Sequence, residues 1–309
     1  MDEFVAALRS RELLTADAAR RVAELEDRAH LPLAKELHAF LYLGAALLLA
    51  GVGAAVKDRL DQLGPATILA ALGLSAAACY AYCFRLVRPF APERVEAPTA
   101  AFDYALYLAC GLTGIFFTYL EWRWKPLGAW WDLYLLGSGL LFWALAYRFD
   151  NRLVLTTALV NLALWLGARA SLWAPGELGP RLALTAYGVA LFALGCAARR
   201  GALKPHFADA YLRLGVYLAL SCMLVDAMRF DAPQFVPLLA ACAALSAWSL
   251  RERRFDTFAA AVGFAYVSVL ASLLRGLDGD AALWTVVLSA AGVLAALLWA
   301  RSRFREAVS

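Results

Sequence analysis

Long runs of apolar residues, separated by short polar stretches, follow one another along the chain after an initial polar segment. A helix needs roughly 20 apolar residues to cross the hydrocarbon core of a membrane, which is about 30 Å thick. Lipid offers the backbone no hydrogen-bond partners, so the runs are predicted to be helices, and they lack the period-two alternation of barrel strands. The pattern predicts an all-α, multi-pass membrane protein with about ten transmembrane helices, at 37–56, 65–84, 102–120, 130–147, 153–170, 182–198, 209–226, 235–250, 255–274 and 281–300.

The amino-acid composition supports a membrane protein. Of the 309 residues, 63% are hydrophobic and 17% are charged. In soluble domains, about half of the residues are hydrophobic and about a quarter are charged. The six cysteines all fall within apolar runs, where cysteine behaves as a small hydrophobe, so we expect no disulfide framework. The first residues are charged and lack the apolar core of a cleavable signal peptide. The net charge of +4 comes from arginines between the spans and does not indicate a nucleic-acid partner.

Lysine and arginine indicate which loops face the cytoplasm, because they are enriched there. The weakest predicted span is 209–226, which carries Arg213 near one end and Asp226 near the other. With this span included and the N-terminus inside, 21 of the 29 basic residues lie on the cytoplasmic side, and without it only 17 do. The charge pattern therefore predicts ten spans with the N- and C-termini both in the cytoplasm.

The turn RFDNR, residues 148–152, is predicted to join two spans on the cytoplasmic side. Its arginines can reach anionic lipid headgroups. Asp150 is predicted to be the N-cap of the helix that follows, where its carboxylate would accept hydrogen bonds from the first amides. The alternative is a catalytic or ion-binding Asp150.

The tripeptide RFD recurs at 254–256, again between two spans and with an offset of 106 residues. Asp103 and Asp209 share this offset, and Asp256 is predicted to cap its helix as Asp150 does. An even number of spans per unit gives both units the same orientation, so the offset predicts a tandem, parallel pair of four-helix units. The predicted units are 102–200 and 201–309, the second with a basic cytoplasmic tail.

Three further segments precede this predicted repeat. Residues 1–36 are predicted to form a cytoplasmic, amphipathic helical hairpin that docks on the membrane face or, alternatively, binds a protein partner. Residues 37–84 form the first predicted transmembrane hairpin. Residues 85–101 contain three prolines and are predicted to be a cytoplasmic linker.

The stretch EWRWKPLGAWWD, predicted to lie outside, holds four of the ten tryptophans. Tryptophan prefers the membrane interface, where its ring is buried and its N–H stays wet, so an aromatic belt is the favoured interpretation. The alternative is a binding site in which the rings stack on a sugar or grip a lipid headgroup. The candidate residues for that site are Glu121, Trp122, Arg123, Trp124, Trp130, Trp131 and Asp132.

Few polar residues lie within the predicted spans. Thr157 and Asn161 are four residues apart on one helical face, which favours bonds between helices over a polar pathway. No ionisable residue lies at the centre of a span, which argues against ion-coupled transport. Cys79 and Cys83 do not complete a tetrahedral metal site, so we expect no metal and no cofactor.

Three segments of the first half carry a resemblance to a known family: ELLTADAARRV, YLGAALLLAGVGAAVKDRLDQLGP and AYRFDNRLVLTTALVNLALWLG. They resemble uncharacterised bacterial membrane proteins grouped as domain of unknown function 2157. The resemblance implies a multi-pass protein of the bacterial cytoplasmic membrane and supplies no activity.

The function that the sequence favours is non-enzymatic: binding or movement of a lipid-like or small neutral solute, with membrane lipids as partners. Two alternatives remain. One is a scaffold or accessory subunit of an envelope complex, and the other is an enzyme that acts on a lipid-linked sugar at the outer face. The sequence leaves the oligomeric state open.

Overall fold

The computed structural model describes residues 64–89, 91, 95, 99–173, 178–201, 204–229, 235–274 and 279–306, together with helical residues at 43–44, 47–52 and 54. From residue 64 onwards it contains nine α-helices of 17 to 28 residues, and short 3-10 turns precede α3 and α6. The helices are α1 Pro65–Leu86, α2 Ala100–Trp124, α3 Leu133–Phe149, α4 Arg152–Trp173, α5 Leu178–Arg200, α6 Ala208–Arg229, α7 Phe235–Arg251, α8 Phe255–Leu274 and α9 Gly279–Glu306.

The predicted all-α, multi-pass class is confirmed. Nine of the ten predicted spans coincide with α1 to α9, and eight of the described helices are long and apolar enough to cross a membrane, α3 when counted with the 3-10 turn before it as Gly128–Phe149. Helix α7 is not among these eight. It is apolar but has only 17 residues, which makes it about 25 Å long. The predicted first span, 37–56, lies largely outside the described residues, and the predicted hairpin at 1–36 lies wholly outside them.

The chain divides into two compact units, residues 1–63 and residues 64–309. Helix α1 belongs to the second unit and packs along α2. A hydrogen bond of 3.1 Å between the hydroxyls of Tyr80 and Thr113 joins the two helices. The second predicted span is therefore part of the helical body.

Helix α6 is the span that the sequence predicts least strongly, and it forms one continuous helix of 22 residues. Arg213 and Asp226, the two charged residues that weaken this predicted span, each have an opposite charge on a neighbouring helix. Arg213 Nε lies 2.9 Å from Asp256 Oδ2, and Asp226 Oδ1 lies 2.7 Å from Arg181 Nη1. Pairing offsets the cost of placing a charge near lipid, so this apolar helix tolerates both residues.

Helices α5 and α6 approach so closely that only glycine fits at several contacts. A Cβ atom at Gly215 would lie 2.6 Å from the carbonyl oxygen of Gly188, and one at Gly188 would lie 2.8 Å from the amide nitrogen of Ala219. Small residues allow backbones in a membrane to pack this tightly, since dispersion replaces the hydrophobic effect as the driving force. This pair forms the centre of the second unit.

The helices run up and down, so their connections gather at two ends of the second unit. We call the end that carries the α3–α4 turn at 150–151 the basic end, and the end that carries the 125–132 loop the tryptophan end.

The α3–α4 and α7–α8 turns share one local geometry. Asp150 and Arg253 both have a left-handed backbone, with φ of 57° and 52°. The next amide in each case, of Asn151 or Arg254, donates to the carbonyl five residues earlier. Each of these two side chains also donates to an aspartate in the first turn of a neighbouring helix, Asp103 in α2 or Asp209 in α6.

This correspondence corrects the register read from the RFD tripeptides. The two turns are 103 residues apart, not 106, because the α2–α3 connection has eight residues and the α6–α7 connection has five. The first RFD ends α3, whereas the second begins α8. The tandem repeat itself stays a prediction, in which Asp150 corresponds to Arg253.

Cysteine labelling tests the predicted orientation. Ala129 and Arg152 are exposed at the tryptophan end and the basic end, respectively, whereas Asn151 is buried and unsuitable for a probe. We expect Ala129→Cys to react with an impermeant thiol reagent in intact spheroplasts, and Arg152→Cys to react only after permeabilisation. The wild-type chain, with its six cysteines within predicted spans, gives the background. The reverse labelling pattern would overturn the orientation.

Candidate functional site

The four tryptophans of the 121–132 stretch are exposed at the tryptophan end. Their exposed fractions lie between 45% and 61%. The rings of Trp122 and Trp124 both lie 6.2 Å from that of Tyr119. Arg123 is exposed as well. Half-exposed rings at the end of a membrane-length helix have the placement of an interfacial belt.

Glu121 organises the loop that follows α2. Lys125 adopts a left-handed backbone and its amide donates to the Glu121 carbonyl oxygen at 2.9 Å. The amides of Leu127 and Gly128 donate to the Glu121 carboxylate at 3.3 and 3.0 Å. Each carboxylate oxygen therefore accepts a hydrogen bond from the turn, so Glu121 fixes the conformation of this loop.

Asp132 is fully buried, with an ion pair of 2.9 Å between its Oδ2 and Arg169 Nε of α4. The Arg169 guanidinium lies over the Trp130 ring, 4.3 Å from the ring centre, and 6.0 Å from that of Trp173. Arg169 thus brings the candidate site residues Trp130 and Asp132 together. The sequence alone assigned Arg169 no role in this site. The Asp132 carboxylate is not exposed at the surface of the tryptophan end.

The two polar residues within α4 make different kinds of contact. Asn161 Nδ2 donates to Ser138 Oγ of α3 at 3.2 Å, and Thr157 Oγ1 donates to the Leu153 carbonyl within its own helix at 3.0 Å. Ser138 in turn donates to the carbonyl of Tyr134 at 2.7 Å. Asn161 therefore joins α4 to α3, whereas the Thr157 hydroxyl bonds within α4.

The two predicted capping aspartates do not cap. Asn151 is the N-cap of α4, because its Oδ1 accepts the amides of Leu153 and Val154 at 3.0 Å each. Asp150 is the residue after the last turn of α3, in the left-handed conformation that asparagine and aspartate tolerate better than most residues.

Asp256 is the second residue of α8, where Arg254 occupies the position before the helix and accepts the Phe258 amide with its carbonyl. The Asp256 carboxylate instead pairs with Arg213, 2.9 Å away. Its charge still suits the first turn of a helix, where the helix dipole is positive.

The Asp150 carboxylate is the centre of a buried charged cluster at the basic end. Its Oδ2 lies 3.2 Å from Lys204 Nζ and accepts the Val95 amide, and its Oδ1 is bonded to His206 Nε2. The side chains of Asp150 and Lys204 are 2% and 1% exposed. Lys204 also has a left-handed backbone, with φ of 47°.

This cluster ties together three parts of the chain. Val95 belongs to the 85–101 linker, Asp150 to the α3–α4 turn, and Lys204 and His206 to the segment before α6. Three donors engage both carboxylate oxygens, so Asp150 acts as a hub and not as a free base. Two non-glycine residues with strained backbones persist only where surrounding contacts hold them, as they do here.

A membrane-level groove lies between α7, α8 and α9. Its volume is about 420 Å³, within the usual range of ligand pockets. Tyr266 and Ser289 share a hydrogen bond of 3.0 Å that links α8 to α9 beside it. The lining is almost wholly apolar: Leu239, Cys242, Ala243, Ser246, Val262, Ala265, Tyr266, Val269 and Val293.

Within the described residues, no three His, Cys, Asp or Glu side chains come together as metal ligands. The cysteines in this part of the chain all carry free thiols.

Comparison with known proteins gives one family. No curated protein and no solved structure matches the chain. The family model that matches is described as predicted membrane protein (DUF2157), and the match covers α1, α2 and α3 together with the α3–α4 turn. The match to this family model spans residues 6–155, which is just under half of the chain.

Proposed function

We propose that the protein binds a lipid-like molecule, with a hydrocarbon chain in the α7–α8–α9 groove. The observation that carries this proposal is the groove itself, an apolar space of about 420 Å³ at the level of the membrane-spanning helices. In a bilayer, an apolar molecule fills such a space, because the residues that line an empty groove lose dispersion contacts. Small side chains on α7, such as Ala243 and Ser246, make room for it.

The packing of α9 supports this proposal. Helix α9 packs on α8, and none of the residues between Leu283 and Ser302 is buried. A helix with so few contacts to its neighbours can shift to admit a chain at little cost, since local stability follows the density of packed contacts.

Filling the groove tests the proposal. Ala243 lines the groove and Ala244 does not, although both are exposed and lie at the same depth of α7. Adjacent residues on a helix point about 100° apart, so Ala244→Trp is a matched control for Ala243→Trp. We expect native mass spectrometry after detergent washing to find a retained phospholipid on the wild type and on Ala244→Trp, and none on Ala243→Trp. Equal retention by all three proteins would contradict the proposal.

The second candidate function is a scaffold, and the exposed flank of α9 favours it. Leu283, Trp284, Val287 and Leu288 are each at least half exposed, on a helix with little packing of its own. A photoreactive amino acid at Leu288 separates the two functions. Cross-links to lipid alone support lipid binding, and a cross-link to one defined membrane protein supports the scaffold.

A further inference from the structure

A small cleft opens at the basic end beside the Asp150 cluster. It holds about one water molecule. Lys204, whose side chain is 1% exposed, contributes to its wall. Arg88 after α1 and Arg148 in the last turn of α3 contribute the other charges. The remaining lining is Val87, Pro89, Val95, Phe102 and Phe149.

The two arginines are held beside each other. Arg148 Nη1 donates to the Arg88 carbonyl oxygen at 3.1 Å, which ties the last turn of α3 to the chain that leaves α1. Among the described residues, neither guanidinium forms an ion pair with a carboxylate. The nearest described acid in the cluster, Asp150, is already engaged by Lys204, His206 and the Val95 amide. Counted over the described residues alone, the cleft therefore carries an excess of positive charge.

Around the equivalent α7–α8 turn, by contrast, three arginines pair with carboxylates. There Arg254 pairs with Asp209, and Arg213 pairs with Asp256 at 2.9 Å. Arg199 at the end of α5 pairs with Glu252 at 2.7 Å. These three arginines are thus paired with carboxylates, whereas Arg88 and Arg148 in the cleft have no such pair within the described part of the chain.

We propose that this cleft binds a phosphate group, supplied by the headgroup of an anionic phospholipid. Planar guanidinium groups match the oxygens of phosphate with paired hydrogen bonds. Helices α1 and α3 both have membrane-spanning length and end at Leu86 and Phe149, so the cleft lies at headgroup depth. The cleft is too small to enclose a phosphate, so the group sits at its mouth between Arg88 and Arg148, with Lys204 beneath. Basic pockets between helices at this depth are typical sites for anionic headgroups.

The test compares three arginines at the same end of the full-length protein. Arg88→Gln and Arg148→Gln each remove one charge from the cleft, and Arg152→Gln removes an exposed charge four residues from Arg148 that does not line it. The proteins are reconstituted in nanodiscs of phosphatidylcholine with a minority of phosphatidylglycerol, and the retained lipids are identified by native mass spectrometry. We expect the preference for phosphatidylglycerol to fall about fivefold in each cleft variant and to stay unchanged in Arg152→Gln.

Inorganic phosphate provides the second arm, which separates the two sources of the phosphate group. Stabilisation of the detergent-solubilised wild type by millimolar phosphate, lost in Arg88→Gln, would support the same site with a soluble ligand. Arg88 is exposed, so its replacement leaves the fold intact, and the elution volume on size exclusion checks this. An equal loss of lipid preference in Arg152→Gln, or no response to either probe, would overturn the proposal.

Discussion

Replacing Asp150 with asparagine is expected to lower the free energy of unfolding by about 3–5 kcal/mol. Lys204 would then keep a buried positive charge, 1% exposed, with its carboxylate partner removed. One oxygen of the carboxylate would become an NH2 group, which cannot accept from His206 or from the Val95 amide. A solvent-exposed helix cap would lose well under ~1 kcal/mol in the same substitution. Unfolding in mixed micelles with increasing denaturing detergent measures the difference.

Asp256→Asn is the matched control for this prediction. Asp256 also pairs with a basic residue at the basic end, but its side chain is 35% exposed and that of Arg213 is 60% exposed. Exposed ion pairs contribute about 0–1 kcal/mol, so this variant should unfold almost as the wild type does. Lys204→Met combined with Asp150→Asn should recover part of the loss, because it removes the buried positive charge that the Asp150 carboxylate balances. Similar free energies of unfolding for Asp150→Asn and Asp256→Asn would contradict the role of the Asp150 carboxylate as the centre of the buried cluster.

The positions of the helices were accessible from the sequence because lipid imposes one simple rule on the chain. A span must be apolar over a fixed length and must pair its own backbone groups, so hydropathy alone locates it. The predicted span 153–170 became α4, residues 152–173, and 255–274 matches α8 at both ends. Helix α6 was the hardest span to predict, because it contains Arg213 and Asp226. Their partners lie on other helices, and hydropathy does not show which helices are neighbours.

The identity of the α4 cap was not accessible in the same way. Asp150 and Asn151 are adjacent, and both are strong capping residues. The choice between them was made by Lys204 and His206, more than 50 residues away, which hold the Asp150 carboxylate and so move the cap one residue along. The only local signal was that either residue tolerates a left-handed backbone at the end of α3.

In the tryptophan loop, too, one feature follows from the local sequence and another depends on a distant residue. Composition predicts that its tryptophan rings lie at the membrane interface, since that preference depends on the chemistry of each residue alone. It could not assign Asp132, whose partner Arg169 comes from the far end of α4. In the described residues the ion pairs lie towards the ends of the helices, where sequence shows a charge but not its partner.

Asp132→Asn is expected to destabilise the tryptophan end as strongly as Asp150→Asn destabilises the basic end, by about 3–5 kcal/mol. The Asp132 side chain is 0% exposed and that of Arg169 is 8% exposed, so the guanidinium would remain buried without its counter-charge. Trp130→Phe should cost about 0.5–1 kcal/mol, because a phenyl ring attracts the Arg169 cation less than an indole does. Trp131→Phe should cost less still, since the contacts of Arg169 are with Trp130 and Trp173.

This ordering separates a structural role from a ligand site at the same residues. If the loop bound a sugar or a headgroup through Asp132, the asparagine variant would unfold like the wild type and lose only the response of its tryptophan fluorescence to added ligand. If the ion pair is structural, the loss of stability appears without any ligand, and Arg169→Met restores part of it in the Asp132→Asn background by removing the charge left alone. Because Asp132 is enclosed by Arg169 and α4, we expect the second result.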